Sequence, residues 1–502
     1  MKKFLAILLV LAMMLTVLVA CGGNANSGDP QDTQGNKKPT TKPDDDEEEY
    51  DITEILPDYL NYNKAEVVLC VRGDAENIWE IGLQEDDGQA LSAELFERTA
   101  CTEARLNVIL AVNAVQGWAN YNTAIADIRT SITTNQAVWD IVTGWSPRIP
   151  QIAAENLYYN LYNFDYFDST NVWWSQSLAK ELTINDRMFM ATGDVSTNYL
   201  TSAHAVFFNQ TLAKAMDMDY TTFYKTVSAG KWTFDELYNL SKDAYVDLNG
   251  DSTVNEGDQF GLLIQSTKLQ AFYTAAGVNM IPNDGENRLE FVVNVTELEQ
   301  IWAKISVLLQ EKSTVNASSA SGSIIASPDA YFVEGKALFM LHRLGALKSF
   351  TDMTDGFGVL PVPKYNEAQT NYYTQLHSCE LWSIPIDAKD PEMSAAVMTS
   401  MGYDSHEIVL EPHFEKLLKT RYVKDSESGY MIDTIYYNIY MNFDSIYNEV
   451  LQPGVGFSNK DQMPMFLFGA LADGAYGSAS AWWTANQDGL KKDLDQILEG
   501  FY

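Results

Sequence analysis

Oxygen-bearing side chains alternate along one acidic segment, 247–258, at a spacing that suits a calcium ion. In EF-hand and dockerin loops the ligands stand at loop positions 1, 3, 5, 7, 9 and 12, with a backbone carbonyl at position 7. The corresponding residues are Asp247, Asn249, Asp251, Thr253, Asn255 and Asp258. Ser252 stands where Gly makes the sharp turn, and the last ligand is Asp instead of Glu. The segment predicts structural calcium that braces a helix against a strand; an acidic turn without an ion is the alternative.

The sequence lacks the spacings of several common catalytic sites. It contains no Gly-x-Ser-x-Gly, no His-Glu-x-x-His, no Walker loop and no Gly-x-Gly-x-x-Gly. A pair of glycosidase carboxylates stays open, because a sequence does not show the separation of about 5 to 9 Å that such a pair needs. We therefore expect no catalytic residues and a protein that is not an enzyme.

The N-terminus has the pattern of a secretory signal peptide over residues 1–20. Lys2 and Lys3 precede an apolar run that ends in small residues before Cys21. The tetrapeptide Leu-Val-Ala-Cys resembles the bacterial lipobox, which implies that diacylglycerol is joined to the thiol of Cys21. A transmembrane anchor is the alternative, since the run is close to spanning length, but polar sequence follows it at once.

Residues 21–59 are predicted to be the lipidated cysteine and a disordered acidic tether. From 22 to 49 the chain is mostly Gly, Asn, Ser, Asp, Lys, Pro and Thr, and it finishes in six consecutive acids at 44–49. Such a composition cannot bury a core. The tether would hold the folded part away from the membrane, and an interaction tail is the alternative.

Charge and cysteine content narrow the partners. With 68 acids against 33 bases the net charge is −35, which opposes binding to nucleic acid or anionic lipid. We expect a monomer whose partners are neutral, cationic or small. After Cys21 only Cys70, Cys101 and Cys379 remain, and three cysteines cannot all pair. A disulfide framework is not expected, although Cys70 and Cys101 could form one bridge.

Apolar periodicity predicts two α/β regions. Strands are expected at 65–71, 106–112 and 139–143, separated by helices at 91–101 and 120–134. This alternation favours a mostly parallel sheet covered on both faces. In such sheets ligands lie beyond the carboxyl ends of the strands, here near 72–74 and 144–145.

A second region repeats the alternation. Strands are expected at 205–209 and 260–264, with a helix at 233–244 between them. Thr233 followed by Glu236 forms a capping box at the start of that helix.

Short segments along most of the chain resemble family 1 extracellular solute-binding proteins, which include the maltodextrin-binding receptors of ABC importers. The segments stand in the family's order and span roughly residues 64–500. They are VWDIV at 138–142, LTINDRMFMA at 182–191, FFNQ at 207–210, GKWTFDEL at 230–237, FVEGKALF at 332–339, FGVLPVPK at 357–364 and LEPHFE at 410–415.

The resemblance implies two α/β lobes joined by hinge strands, with the ligand cleft between them, in the type 2 periplasmic-binding-protein-like arrangement. Lobe 1 would comprise 60–203 plus 358–390, and lobe 2 would comprise 204–357 plus 391–502. The chain would cross between the lobes near 203–208, 356–362 and 388–391.

The resemblance also implies ligand contacts. Trp145 follows a strand end that resembles the cleft-facing turn of the family, and aromatic rings suit the apolar faces of sugars. His342 and Arg343 stand where related receptors present a side chain to the ligand. Arg343 could bind a hydroxyl pair or a carboxylate, or form a salt bridge to a nearby acid. The further candidates are Gln265, His377 and Trp173, and packing in the first lobe is the alternative for the last of these.

Together these observations predict a lipid-anchored receptor on the extracellular face of the bacterial membrane. It would capture a small polar ligand, which the resemblance implies is an oligosaccharide or other sugar, and deliver it unchanged to the permease subunits of an ABC importer. A lipid-anchored glycoside hydrolase and a surface polysaccharide-binding adhesin are the alternatives.

Overall fold

The computed structural model describes most of the chain from Asp51 onward. The described residues are 51–83, 91–265, 268–286, 288–317, 323–351, 353–410, 412, 425–453 and 459–502. They all belong to one structural unit, Lys38–Tyr502. The predicted signal peptide, Cys21 and the acid run of the tether lie outside them. No helix within these ranges combines the length and apolar character that crossing a bilayer requires.

The packed chain begins earlier than the predicted end of the tether at residue 59. The Asp51 carboxylate accepts a hydrogen bond from the backbone N of Thr53 at 2.9 Å and caps a 3-10 turn over Ile52–Glu54. Ile52 and Leu56 are buried in the main core. Two apolar residues four apart give this short segment one face to bury, which its polar neighbours hide from a composition argument.

Nine strands form two sheets in the described part of the chain, and the five strands predicted from the apolar runs are among them. They are β1 (Ala65–Arg72), β2 (Val108–Val115), β3 (Ile141–Trp145), β4 (His204–Asn209), β5 (Phe260–Ile264), β6 (Thr314–Asn316), β7 (Ala337–Arg343), β8 (Phe357–Pro361) and β9 (Glu380–Ser383).

The first sheet has the strand order β2-β1-β3-β9 and defines lobe 1. β1 runs parallel to β2 from the pair Ala65↔Val108 to the pair Arg72↔Val115, and β3 lies parallel to β1 on its other side. β9 closes the sheet antiparallel to β3. The predicted parallel sheet is confirmed for β1, β2 and β3, and their carboxyl ends meet at one edge.

The second sheet has the order β6-β5-β7-β4-β8 and defines lobe 2. β5 is parallel to both β6 and β7, whereas β4 runs antiparallel between β7 and β8. The carboxyl ends of β5 and β7 therefore meet the amino end of β4 at one edge of the sheet.

Helices cover both sheets. Within the described residues they are α1 (Ala75–Glu80), α2 (Ser92–Leu106), α3 (Tyr121–Thr133), α4 (Pro150–Ala153), α5 (Gln176–Leu182), α6 (Asn198–Thr201), α7 (Gln210–Ala215), α8 (Thr221–Ser228), α9 (Phe234–Ser241), α10 (Gln270–Ala275), α11 (Val295–Gln310), α12 (Pro328–Val333), α13 (Pro391–Asp404), α14 (Ser426–Tyr436), α15 (Phe443–Ile446), α16 (Leu467–Ala472) and α17 (Ala479–Glu499).

The predicted start of α9 is confirmed by its cap. The hydroxyl of Thr233, which has extended backbone geometry, accepts a hydrogen bond from the backbone N of Glu236 at 3.3 Å. This satisfies one of the amides that a helix leaves open at its first turn. Phe234 and Leu237 then face the core of lobe 2.

The second part of lobe 1 differs from the predicted 358–390. β8 pairs with β4 in the second sheet, so residues 357–361 remain in lobe 2. α13, expected in lobe 2, packs on α2 in lobe 1, where Arg105 forms an ion pair with Asp404 at 2.6 Å. The residues of an apolar strand such as β8 do not indicate which strand it pairs with. α13 is buried on nearly every side, so its sequence does not indicate which lobe it packs against.

Two crossings between the lobes lie side by side. The first follows α6, where the backbone N of Leu344 donates to the carbonyl of Ala203 at 2.8 Å. In the second, the backbone N of His377 donates to the carbonyl of Ser202 at 2.9 Å, before the chain enters β9. The segment 388–391 stays on lobe 1 instead of crossing, since the backbone N of Lys389 donates to the buried Asp140 carboxylate at 3.4 Å. α14 has returned to lobe 2.

The three cysteines of the described chain are free thiols. Cys70 is buried in β1, and Cys379 is buried just before β9. Cys101 lies on α2 and does not form the bridge to Cys70 that the sequence left open. The described residues therefore contain no disulfide.

Candidate functional site

The carboxyl edge of the first sheet is built around two close backbone turns. A Cβ on Gly73 would lie 2.3 Å from the carbonyl oxygen of Val115, and a Cβ on Gly117 would lie 2.7 Å from the Asp74 carboxylate. Only glycine permits this approach at the ends of β1 and β2. The two turns can therefore meet, and they set Asp74 beside Trp118.

Trp118 offers the exposed aromatic ring at this edge. Its ring is 54% exposed and meets the Trp145 ring edge-on, with 4.6 Å between centroids. Its backbone N donates to the Asp74 carboxylate at 3.1 Å. An exposed ring held by a buried one is a suitable face for a sugar ring.

Trp145, the predicted ligand contact, lies behind Trp118 and is only 4% exposed. Its backbone N donates to the hydroxyl of Tyr121 at 3.0 Å. In this conformation Trp145 supports the edge, and Trp118 presents the surface. Sequence reasoning missed Trp118 because it ended the second strand at residue 112, three residues before β2 ends.

Trp173 is placed away from this edge. Its ring is fully buried and packs edge-on against Tyr403, with 5.7 Å between centroids. Gly402 leaves room for it, since a Cβ there would lie 2.5 Å from the indole. Trp173 presents no surface to a ligand, and the alternative of packing within lobe 1 describes its position.

A paired polar network underlies the lobe 1 edge. The Arg72 guanidinium forms an ion pair with Asp74 at 2.6 Å and donates to the side-chain oxygen of Asn77 at 3.0 Å. It also lies 3.6 Å from Glu76 and 4.0 Å from Glu380. Arg72 is thus surrounded by acids and amides, and we call Arg72, Asp74, Asn77, Trp118 and Glu380 the lobe 1 edge.

Glu380 is the most buried acid of this network. It accepts a hydrogen bond from the Asn77 amide at 2.9 Å, while its second oxygen is buried without a hydrogen-bond partner. Burial raises the pKa of Glu380 to about 7, and the nearby Arg72 partly opposes that shift. The carboxyl group therefore holds its proton into the neutral pH range.

Four predicted ligand residues come together at the facing edge of lobe 2. His342 and Arg343 end β7, Gln265 follows β5, and His377 lies on the second crossing. β5 and β7 are parallel neighbours, which places their carboxyl ends side by side.

Two basic residues that the sequence analysis did not single out join them. His204 begins β4 opposite Arg343, and its ring lies 6.3 Å from the ring of His377. Lys268 follows Gln265, to whose carbonyl its backbone N donates at 2.8 Å. We call His204, Lys268, His342, Arg343 and His377 the cationic cluster.

The two edges are electrostatically linked. Burial lowers the pKa of Arg343, and the carboxylates of Asp329 in lobe 2 and Glu76 in lobe 1 partly oppose that shift. The cationic cluster therefore lies within reach of charges on lobe 1.

The acidic loop 247–258 lies apart from both edges, between α9 and β5. Asp247 accepts hydrogen bonds from the backbone N of Gly250 at 2.7 Å and of Ser252 at 2.8 Å. Ser252 has φ +62°, so it adopts the left-handed conformation that glycine supplies in the EF-hand turn.

The middle of this loop gathers oxygen donors. The amide nitrogen of Asn255 lies 2.8 Å from Asp251 and 2.9 Å from the carbonyl of Thr253, and Asn249 is 3.1 Å from both Asp251 and Asn255. Asp258 is buried and receives the Tyr245 hydroxyl at 2.8 Å. Three acids are not grouped around one point here or elsewhere in the described chain. Oxygen ligands that suit calcium are therefore offered by the side chains of Asn249, Asp251 and Asn255 and by the carbonyl of Thr253. The acidic side chains of the loop do not converge on one point.

Solved structures of sugar-binding proteins share this architecture. A cyclo/maltodextrin-binding protein complexed with maltotetraose matches with a TM-score of 0.55 and 14% identity, over 87% of this chain and 98% of that one. A cyclic α-maltosyl-1,6-maltose binding protein from Arthrobacter globiformis matches at 0.54 and 14%, over 87% and 99%. The chain has the two-lobed substrate-binding-protein fold.

A third likeness supports the same fold. An ABC substrate-binding protein from Listeria monocytogenes in complex with cycloalternan matches with a TM-score of 0.52 and 13% identity, over 87% of this chain and 98% of that one. No family model matches the sequence, and no curated protein matches it. The resemblance seen in the sequence is therefore confirmed at the level of the substrate-binding-protein fold. At identities of 13% and 14%, these matches show the fold and not the ligand.

Proposed function

We propose that the protein is a sugar-binding receptor of an ABC importer, which captures its ligand between the two lobes and releases it unchanged. The observation that carries the proposal is the exposed ring of Trp118 beside the polar lobe 1 edge. Sugar rings stack on aromatic planes while their hydroxyls take hydrogen bonds. Similar folds bind maltotetraose and cycloalternan, which supports a carbohydrate as the ligand class.

The proposed mechanism is closure of the lobes around the ligand. A ligand that touches both Trp118 on lobe 1 and Arg343 on lobe 2 stabilises the closed state by its extra contacts. The paired crossings at Ala203 and His377 allow such rigid-body motion. Importer subunits would recognise the closed form.

We further propose that Cys21 is lipidated and holds the receptor at the extracellular face of the membrane. The support is the sequence at residues 1–21, with its basic start, apolar run and terminal cysteine. Mass spectrometry of the protein from membranes should find diacylglycerol on Cys21 in the wild type and none in Cys21→Ala. A wild-type chain without the lipid would contradict the anchor.

The loop 247–258 is proposed to hold calcium. Asp251, Asn255, Asn249 and the carbonyl of Thr253 would supply ligands, with Asp247 shaping the turn. The ion would fasten α9 to β5, whose connecting ends already exchange hydrogen bonds between Val246 and Gln259 at 2.8 and 3.1 Å.

The receptor proposal is tested by incubating the purified protein with a mixture of maltose, maltotriose and cycloalternan. Isothermal titration calorimetry should give one site per chain, and mass spectrometry of the released ligand should recover it intact. Cleavage products would instead favour a glycoside hydrolase. The proposal would be overturned if the protein bound no saccharide, neither neutral nor charged.

A further inference from the structure

The cationic cluster is unusual because the protein around it is strongly acidic. The chain carries a net charge of −35, yet His204, Lys268, His342, Arg343 and His377 converge at one edge of lobe 2. The acids that act on this cluster are Asp329, from α12, and Glu76, from α1. Two acids therefore act on a site that gathers two cationic side chains and three imidazoles.

Most of the cluster's polar atoms lack a partner. Among the described residues, neither the Lys268 ammonium nor the Arg343 guanidinium has a hydrogen-bond or ion-pair partner at normal distance. Lys268 is nevertheless buried. The Nε2 atom of His204 and the Nδ1 atom of His377 are buried without hydrogen bonds. The nearest ion pair, from His342 to Asp329, is 3.7 Å long.

This arrangement is unfavourable in the free protein. Buried charges and polar groups normally occur only with partners, because their desolvation is otherwise uncompensated. Burial, followed by the repulsion of Arg343, lowers the pKa of Lys268 to about 7. Burial and the same neighbouring cations lower the pKa of His342 to about 3. Lys268 and Arg343 would both be stabilised by a nearby negative charge.

Lobe 1 does not supply that charge. Glu76 already lies 3.6 Å from Arg72, and Asp74 is engaged by Arg72 and by the backbone of Trp118. Burial raises the pKa of Glu380 to about 7, so this acid is largely neutral below that pH. The acids of the facing edge therefore have their own partners or carry little charge.

We propose that the cationic cluster is the subsite for an oxyanion group of the ligand, so that the preferred ligand is an acidic saccharide. This deepens the proposed sugar-binding function and rests on it. Arg343 offers a planar pair of donors that matches a carboxylate or phosphate, Lys268 offers a compact charge, and each neutral imidazole can add one N–H donor. His342, Arg343 and His377 are partly exposed, which leaves the subsite open to the cleft.

The ring of the ligand would lie on Trp118 while its anion lies in the cluster. The overall negative charge of the protein repels anions at long range, so only a local cluster can hold one. Carboxylate, phosphate and sulfate share the required chemistry. Glucuronate, glucose 6-phosphate and a sulfated glucose distinguish these three anionic groups, and glucose is the uncharged control.

The experiment compares these four probes by isothermal titration calorimetry on the purified full chain at constant ionic strength. We expect at least one anionic probe to bind about tenfold or more tightly than glucose. Lys268→Met should bring the anionic probe to within about twofold of the neutral one. Lys231→Met, which removes an exposed charge from the same lobe, should leave the preference unchanged.

A pH profile with glucuronate adds a readout that simple misfolding would not give. The anion raises the pKa of Lys268 above its free value of about 7, so binding takes up a proton above that pH. His204, His342, His377, Arg343 and Asp329 are the other groups that face Lys268. The dissociation constant should rise about tenfold from pH 6 to pH 8 in the wild type and change little in Lys268→Met.

The outcomes separate the two proposals. Equal binding of glucose and all three anionic probes would overturn the oxyanion subsite and leave the sugar receptor standing. Inorganic phosphate is added as a fifth probe, and its binding without binding of any saccharide would support the subsite and contradict the sugar receptor. An anion preference that survives in Lys268→Met, with unchanged melting temperature, would overturn the subsite, as would the absence of binding by every probe at millimolar concentration.

Discussion

The lobe 1 edge and the cationic cluster face the same cleft but differ in how their charges are paired. On lobe 1, Arg72 has ion-pair partners at 2.6 and 3.6 Å and a hydrogen bond from its guanidinium to Asn77. On lobe 2, Arg343 has none of these among the described residues. One edge is complete before a ligand arrives, and the other is completed by the ligand. Lobe 1 thus provides a preformed binding surface, whereas lobe 2 provides unpaired basic groups that favour a ligand with a negative charge.

The largest expected effect comes from removing the two arginines in turn. Arg72→Gln should destabilise the fold by about 3 kcal/mol, because it leaves the buried Glu380 and the partly buried Asp74 without their cation. Arg343→Gln should change the free energy of unfolding by less than about 0.5 kcal/mol, since no paired charge is lost. Urea unfolding at pH 7 measures both. Equal decreases in the free energy of unfolding of the two variants would contradict the difference in charge pairing between the edges.

Trp118→Ala should weaken sugar binding by about 10- to 100-fold, or about 1 to 3 kcal/mol, through loss of the stacking face. The melting temperature should hardly move, because the ring is largely exposed. Calorimetry with the tightest ligand and a thermal melt give the two values. Trp145→Ala is the matched control, which should lower the melting temperature strongly because that ring is buried.

Glu380→Gln tests the pairing on lobe 1 by pH. The folded pKa of about 7 lies above the ordinary value of 4.5, so the folded state binds the proton more tightly. Stability from this group is present below about pH 4.5 and is lost as the pH rises to 7. Between pH 5 and 8 the wild type should lose about 1 to 2 kcal/mol more than Glu380→Gln. Parallel urea-unfolding profiles for the two proteins would contradict the raised pKa.

The smallest effect is expected at the loop 247–258, which belongs to neither edge. Calcium at ten times its dissociation constant should stabilise the protein by about 1.4 kcal/mol, and a chelator should reverse this. Asp251→Ala should abolish the response while sugar affinity stays the same. A calcium response that persists in Asp251→Ala would place the ion elsewhere.

Much of the fold follows from apolar periodicity. β5 lies at the predicted residues, 260–264, and α9 begins where Thr233 and Glu236 predict. Such signals are local, because a strand's alternation and a helix's cap depend on neighbouring residues. The partner of β8 and the lobe that α13 joins depend on contacts distant in the sequence, and these were predicted wrongly.

The site shows the same limit. Arg343, His342, Gln265 and His377, which were each named as ligand candidates, come together at one edge of lobe 2. Lys268 and His204 were missed, since a lysine after a strand and a histidine beginning one resemble ordinary surface or core residues. Only the approach of β4, β5 and β7 makes them neighbours. Trp118 was missed because a strand's end is the least regular part of its pattern.

The position of the cationic cluster beside the crossings has a mechanical consequence. His204 and His377 lie on the two chain segments about which the lobes would turn, whereas the Trp118 ring lies on lobe 1 beside Trp145, at the end of β3. Points near an axis of rotation hardly move, and points far from it sweep the longest arc. A group at the axis can therefore bind the ligand while the lobes are open. The Trp118 ring then contacts the ligand only as the lobes close.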